Sequence, residues 1–187
     1  MKVEELPIAG LKLISPRVFG DERGWFYESF NVDKMAELGI THGWDQDNHS
    51  RSVQNTIRAL HFQSTPGQAK LVRCTLGAVW DVAVDLRSDS PTFGQWHGVE
   101  LTGENQKMLY IPAGFAHGFC VLSEVAEFQY KCSTVYDGDT ETGIAWDDPD
   151  IGVKWPITDP LLSERDQQNQ SFKQWVERNP GAFKIAR

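Results

Sequence analysis

Turn-forming residues recur at short intervals through the middle of this chain, and the segments between them alternate apolar and polar side chains. Thr65-Pro66-Gly67, Leu76-Gly77, Ser90-Pro91, Leu101-Thr102-Gly103 and Asp137-Gly138-Asp139 mark the turns. Between them, Trp80, Val82, Val84 and Leu86 alternate with Asp81, Ala83 and Asp85, the period of a strand with one buried face. Phe128, Tyr130 and Cys132 alternate with Glu127, Gln129 and Lys131 in the same way, which aims Tyr130 inward. Many short strands with this punctuation predict an all-β fold, a sandwich or barrel, with a jelly roll as the expected form. Helices are predicted only at the periphery: Val32 to Gly39, a turn beginning at Ser163, and Gln170 to Arg178 before Asn179-Pro180-Gly181.

At 187 residues, with no internal repeat or linker, the chain is expected to form one domain. The core should span about residues 6–166, followed by a helical tail over about 167–187. Seven tryptophans and ten phenylalanines favour a packed globule over disorder. No run approaches the roughly 20 apolar residues of a membrane span, and the amino terminus lacks the pattern of a signal peptide. Cys74, Cys120 and Cys132 are odd in number and sit in apolar runs, so buried free thiols of a cytoplasmic protein are expected. A net charge of −8 disfavours nucleic acid as a partner. Between Asp47 and Asp81, however, there is no acidic residue, while Arg51, Arg58, Lys70 and Arg73 all occur. That local excess fits either a small anionic ligand or a solvated basic face.

Ile111-Pro112-Ala113-Gly114-Phe115-Ala116-His117-Gly118 has the P-x-G-x-x-H spacing by which cupin-type barrels present a histidine at the barrel mouth. It is expected as a loop between strands Met108–Ile111 and Phe119–Leu122. The upstream segment Arg58-Ala59-Leu60-His61-Phe62-Gln63 offers His-x-Gln where a metal-binding cupin carries His-x-His. Gly67 and Gln68 occupy the spacing of the acidic ligand, and Lys70 follows. A divalent cation requires several neutral imidazoles or carboxylates and is repelled by an ammonium. Two histidines and a lysine in an apolar barrel are better suited to moving protons and holding anions, so no metal is expected.

A longer ordered series carries a resemblance. Asp21 to Phe30, Gln46-Asp47-Asn48-His49-Ser50, Arg58 to Gln63, Lys70-Leu71-Val72-Arg73, Asp81 to Arg87, Ser90-Pro91-Thr92-Phe93-Gly94, Ile111 to Gly118, Ala126 to Lys131, Trp146-Asp147-Asp148-Pro149 and Leu162 to Asp166 occur in that order. Together they resemble the dTDP-4-dehydrorhamnose 3,5-epimerases, over about Leu6 to Asp166. The resemblance implies a double-stranded β-helix that dimerises by exchange of amino-terminal strands and uses neither cofactor nor metal. It also implies epimerisation of dTDP-4-dehydro-6-deoxy-D-glucose at both carbons flanking its ketone.

Such a reaction needs a base on one face of the carbon, an acid on the other, and positive charge or donors at the enolate oxygen. His61 is the candidate base, because an imidazole titrates near neutral pH. By resemblance, Asp166 pairs with it. Tyr130 is the candidate acid; the resemblance implies that Lys70 approaches the sugar oxygens and that His117 stands at the sugar as a hydrogen-bond donor. A diphosphate calls for guanidinium forks, and the resemblance assigns these to Arg58 and, across a dimer, Arg23. Phe26 is placed to stack near the base; Glu28, Gln46 and Asn48 are placed as nucleotide contacts, with Glu141 and Arg165 at further substrate positions.

The chain departs from the family at Ala59 and Ala69, where glycine is usual, and at Asn55-Thr56, where Lys-Gly is common. Arg58 and His61 have opposite parity along a strand, so a bulge or twist, or approach of the ligand from two sides, must reconcile them if both are to serve one site. The alternatives are an epimerase acting at one carbon only, a noncatalytic nucleotide-sugar-binding cupin, and a metal-dependent cupin enzyme.

Overall fold

The computed structural model describes residues 1–184. Its first strands are β1 (Lys2–Glu5), β2 (Lys12–Ser15), β3 (Phe19–Asp21) and β4 (Gly24–Phe26), followed by helix α1 (Val32–Glu37). The central run is β5 (Gln46–Val53), β6 (Ile57–Gln63), β7 (Lys70–Leu76), β8 (Ala78–Asp85), β9 (Trp96–Thr102), β10 (Met108–Ile111), β11 (Phe115–Val121), β12 (Val125–Cys132) and β13 (Glu141–Gly143). Helices α2 (Glu164–Gln167) and α3 (Phe172–Arg178) close the chain.

The strands assemble into two antiparallel sheets, ordered β1-β2-β10-β7-β12-β5 and β13-β6-β11-β8-β9, with β3 and β4 paired as a separate hairpin. This is the jelly roll that the strand spacing predicts. Val72, Leu109 and Phe128 of the first sheet meet Val79, Ala83, Phe115 and Phe119 of the second in one cluster between the sheets. A second cluster lies on the far side of the second sheet, where Val82, Val84, Leu60 and Phe62 are covered by Ile144, Ile151 and Trp175. Met35 of α1 packs on the outside of the first sheet with Ile14, Leu71 and Met108.

That double covering corrects the reading of β8. Both of its faces are buried, and Asp81 and Ala83 point into the sandwich while Val82 and Val84 face the C-terminal segment. Alternation identifies two faces but not which one is interior, and a tail packed over the second sheet makes the apolar face the outer one. The 112–118 loop is also shorter than expected. Only residues 112–114 turn, with Gly114 at φ +90°, and β11 begins at Phe115, which pairs with Asp85 of β8. His117 therefore stands on a strand.

The helices fall where their caps place them. Asn31, Ser163 and Ser171 each accept a hydrogen bond from the backbone N–H three residues on. Ser171 and Gln174 form a reciprocal capping box, which starts α3 two residues later than the sequence pattern indicated. The three cysteines are buried and free. Among the described residues no helix is long and apolar enough to cross a membrane.

Candidate active site

The site is built on β6 and its neighbours. His61 pairs with His117 of β11 and Arg58 with Phe119, so three steps along β6 span two along β11. This is a bulge. Residues directly opposed across a ladder share a face, and Phe119 lies in the core between the sheets. The extra residue in β6 thus brings Arg58 and His61, of opposite parity in sequence, to the same side. The Ala59–Leu60 peptide within this bulge is cis. Ala59 has no positive φ, and its Cβ lies against Gly118, where a second Cβ would approach it to 2.4 Å. Two other family departures are also accommodated: Asn55 takes the left-handed conformation (φ 64°) that asparagine tolerates, and Ala69 packs in the cluster beneath α1.

His61 gives its Nε2 to Asp166 Oδ1 at 2.5 Å. Asp166 is buried at the start of α2, where its Oδ2 accepts from the Ser163 hydroxyl at 2.9 Å and its N–H donates to Ser163 Oγ at 3.1 Å. The cap that starts the helix therefore also orients the carboxylate. His117, next to His61 across the ladder, has its Nε2 2.9 Å from Asp81 Oδ2 and its ring stacked over Phe128 at 6.0 Å. Burial pushes the His117 imidazole toward its neutral form; Asp81 opposes this, and the charges of Lys70 and His61 add to it.

Lys70, at the start of β7, is only 9% exposed. Its Nζ lies 3.5 Å from the His61 carbonyl oxygen and 5.9 Å from the centre of the Tyr130 ring. Burial holds its ammonium below the usual lysine range, against the pull of Cys132, Glu141 and Asp81. Tyr130 packs against the core between the sheets, the inward direction its alternation predicts. Burial, then the neighbouring Cys132 and Glu141, raise its phenol above the ordinary tyrosine range, while Arg58 and Asn48 act the other way.

Gln46, Asn48, Lys70, Tyr130 and Glu141 line one small cavity of about 40 Å³, with Phe62 at its wall. Gln46 Nε2 donates to Asn48 Oδ1 at 2.9 Å, Arg58 Nε donates to Ser52 Oγ at 3.1 Å, and Arg165 pairs with Glu141 at 2.7 Å. Gln63 is a strut: its amide nitrogen donates to Thr140 Oγ1 at 2.6 Å and to the Asp137 carbonyl at 2.9 Å, fastening the loop that precedes β13. A hollow of about 360 Å³ lies under Phe30 beside Arg73 and Lys131, and neither paired histidine lines it.

Eight expected residues do not line this cavity: His61, Asp166, His117, Arg58 and Arg165 stand on the strands and helix around it, whereas Arg23, Phe26 and Glu28 lie apart from it. Arg23 folds back on Asp21 at 2.5 Å with 85% of its side chain exposed, Phe26 is 70% exposed on the β3–β4 hairpin, and Glu28 pairs with Lys34 at 2.6 Å. Phe62, Gln63, Gln68 and Tyr136 also line the cavity and Asp81 stands near it, and the sequence reading assigned none of them to the site. Tyr136 stands beside Glu141, and Asp81 holds His117. The signal for Asp81 was a carboxylate in strand register with Val79 and Ala83. Among the described residues no group of three or more His, Cys, Asp or Glu side chains is arranged to hold a metal ion.

The chain is similar to known proteins over most of its length. A curated dTDP-4-dehydrorhamnose 3,5-epimerase of Pseudomonas aeruginosa is 52% identical over 174 residues, covering 92% of this chain and 96% of that protein. The crystal structure of a Legionella pneumophila dTDP-6-deoxy-D-glucose-3,5-epimerase in complex with dTDP-4-keto-L-rhamnose superposes with a TM-score of 0.94 at 44% identity, covering 100% and 99% of the two chains. A dTDP-4-dehydrorhamnose 3-epimerase of Streptomyces niveus is 43% identical over 169 residues, 89% of this chain and 82% of that protein. The sequence profile of the dTDP-4-dehydrorhamnose 3,5-epimerases matches residues 5–174, and the chain belongs to that family.

Proposed function

We propose that this chain, acting as a single epimerase domain, converts dTDP-4-dehydro-6-deoxy-D-glucose to dTDP-4-dehydro-L-rhamnose by inverting C3 and C5. The observation that carries this reading is the His61–Asp166 pair standing in one barrel interior with Lys70 and Tyr130. Asp166 takes the Nε2 side of His61, which leaves Nδ1 to accept the proton alpha to the ketone. The electrons of the broken C–H bond move to the ketone oxygen, where the Lys70 ammonium offsets the enolate charge. Tyr130 gives a proton to the opposite face of the carbon; His61 then releases its proton to solvent, Tyr130 regains one from solvent, and the same steps act at the second carbon. The reaction needs no net oxidation, and neither cofactor nor metal is invoked.

Arg58 serves the diphosphate in this reading, with Gln46 and Asn48 toward the nucleotide and Glu141 and Arg165 at the sugar side. Arg23, Phe26 and Glu28 serve it only from a second copy. The exposure of Phe19, Trp25 and Phe26 on the β3–β4 hairpin supports a homodimer in which that segment covers the partner's barrel. The product would enter dTDP-L-rhamnose and lipopolysaccharide synthesis in the cytoplasm.

Proton NMR of the keto-sugar with the protein in deuterated buffer tests the reading. Deuterium is expected at both C3 and C5, and His61→Ala should lose exchange by about 10²- to 10⁴-fold. Wild-type exchange in that variant would remove His61 as the base. The 43% identity to a 3-epimerase favours a second reading, inversion at a single carbon; exchange confined to C3 or to C5 would establish it. Tight binding without exchange at either carbon would mean a binding protein.

A further inference from the structure

Asp81 is fully buried on β8, in strand register with Val79 and Ala83 and with them facing the space between the sheets. Packing gives no reason for a carboxylate there, since burying one is costly unless it is paired and hydrogen-bonded. Its Oδ2 meets His117 Nε2 at 2.9 Å, whereas its Oδ1 is buried with no hydrogen-bond partner among the described residues. An ionised carboxylate only accepts. The hydrogen on His117 therefore sits on Nε2, and a neutral imidazole then has a bare lone pair at Nδ1. The groups acting on this ring from the surrounding strands are Lys70 on β7, His61 on β6 and Asp81 on β8, with the Phe128 ring of β12 stacked beside it.

The same arrangement holds His61 through Asp166. Two carboxylates, from β8 and α2, thus turn two opposed histidines the same way. For His61 the free Nδ1 is a base. For His117, beside the buried ammonium of Lys70, the free Nδ1 is an acceptor and cannot donate to an enolate oxygen.

We propose that Asp81 is a positioning residue for epimerisation: it locks His117 as the Nε2–H tautomer, so that His117 accepts a hydrogen bond from a sugar hydroxyl through Nδ1 and Lys70 alone supplies the positive charge at the enolate oxygen. This rests on the epimerase reading and reverses the donor role expected for His117.

Long-range nitrogen–proton NMR of the histidine rings in the wild-type protein tests it without any substitution. A protonated Nε2 with a pyridine-type Nδ1 on His117 is expected, and a proton on Nδ1 would overturn the proposal. Asp81→Asn replaces the charged acceptor by a neutral amide that can also turn its NH2 toward Nε2, and it should lower kcat for exchange by about 10- to 100-fold, the range seen when the partner orienting a metal-bound histidine is lost. KM should move much less, because substrate groups and their direct contacts remain. A folded Asp81→Asn protein with wild-type kcat would overturn the positioning role while leaving the epimerase reading intact. Absence of exchange in the wild type would instead overturn the epimerase reading and, with it, the role given to Asp81. If Asp81→Asn fails to fold, the wild-type tautomer decides the proposal.

Discussion

His61 and His117 oppose each other across the β6–β11 ladder, and each is held through Nε2 by a carboxylate that lies far away in sequence. Antiparallel pairing sets the spacing of the two rings, and the carboxylates set their rotation. The pair that performs proton transfer in this reading depends on Asp166 for both tautomer and charge. Asp166→Asn is expected to lower kcat by about 10²-fold or more, with the fold retained because Asn also fits the Ser163 cap. Steady-state exchange rates, alongside a thermal melt, check this; a variant within a few-fold of wild type would show that the dyad is structural.

Lys70 places activity and stability in opposition. Burial lowers its pKa in the folded state, so the folded protein binds fewer protons than the unfolded chain between that lowered value and the ordinary lysine value of about 10.4. Its contribution to stability therefore rises with pH across that window and is least favourable below it. Lys70→Met should melt higher at neutral pH, by about 2–4 °C, while kcat falls by about 10²-fold or more through loss of charge at the enolate. Scanning calorimetry and exchange kinetics on the same sample would test both halves, and a lower melting temperature would contradict the desolvation argument.

The alkaline side of the pH profile belongs to Tyr130. Burial first, then Cys132 and Glu141, hold its phenol protonated to higher pH than an ordinary tyrosine, which extends the range over which it can act as an acid. Glu141→Gln removes one of the charges that raise it. The alkaline limb of kcat should then move to lower pH, while Tyr130→Phe should abolish turnover. An unmoved limb in Glu141→Gln would separate that limb from Tyr130.

Trp175 ties the C-terminal helix to the strand that carries the base. Its ring meets Phe62 edge-on at 4.8 Å, and Phe62 lies between His61 and Gln63. Trp175 is 4% exposed, and Trp175→Ala should cost about 3–5 kcal/mol by cavity formation. Urea unfolding measures this directly. A loss below about 1 kcal/mol would mean that the helix contributes little to holding β6.

The bulge makes a paired prediction. A Cβ at Gly118 would sit 2.4 Å from the Ala59 Cβ and 2.9 Å from the Arg58 carbonyl oxygen. Gly118→Ala should destabilise the protein by about 1–3 kcal/mol. Adding Ala59→Gly should recover part of that loss, because it removes the nearer contact and leaves the backbone one. A double variant no more stable than Gly118→Ala would place the strain elsewhere.

Local periodicity was enough to read the strands, the inward turn of Tyr130, the helices near residues 32–39 and 170–178 and the buried thiols, because each follows from side-chain spacing over a few residues. Ordered motifs identified the residues that serve chemistry in this family. Spacing could not say which face of β8 looks inward, since period two defines two faces and only the packed C-terminal segment chose between them. It misplaced His117 on a loop because the start of β11 is decided by pairing with β8. It showed that Arg58 and His61 conflict in parity but could not choose what reconciles them, because a bulge exists only relative to a partner strand. His61 and Asp166 are 105 positions apart, and nothing local in the sequence signals their contact. Their contact, and that of His117 with Asp81, arises when the sheets and α2 close around the barrel, where each carboxylate is buried away from water and the imidazole satisfies it.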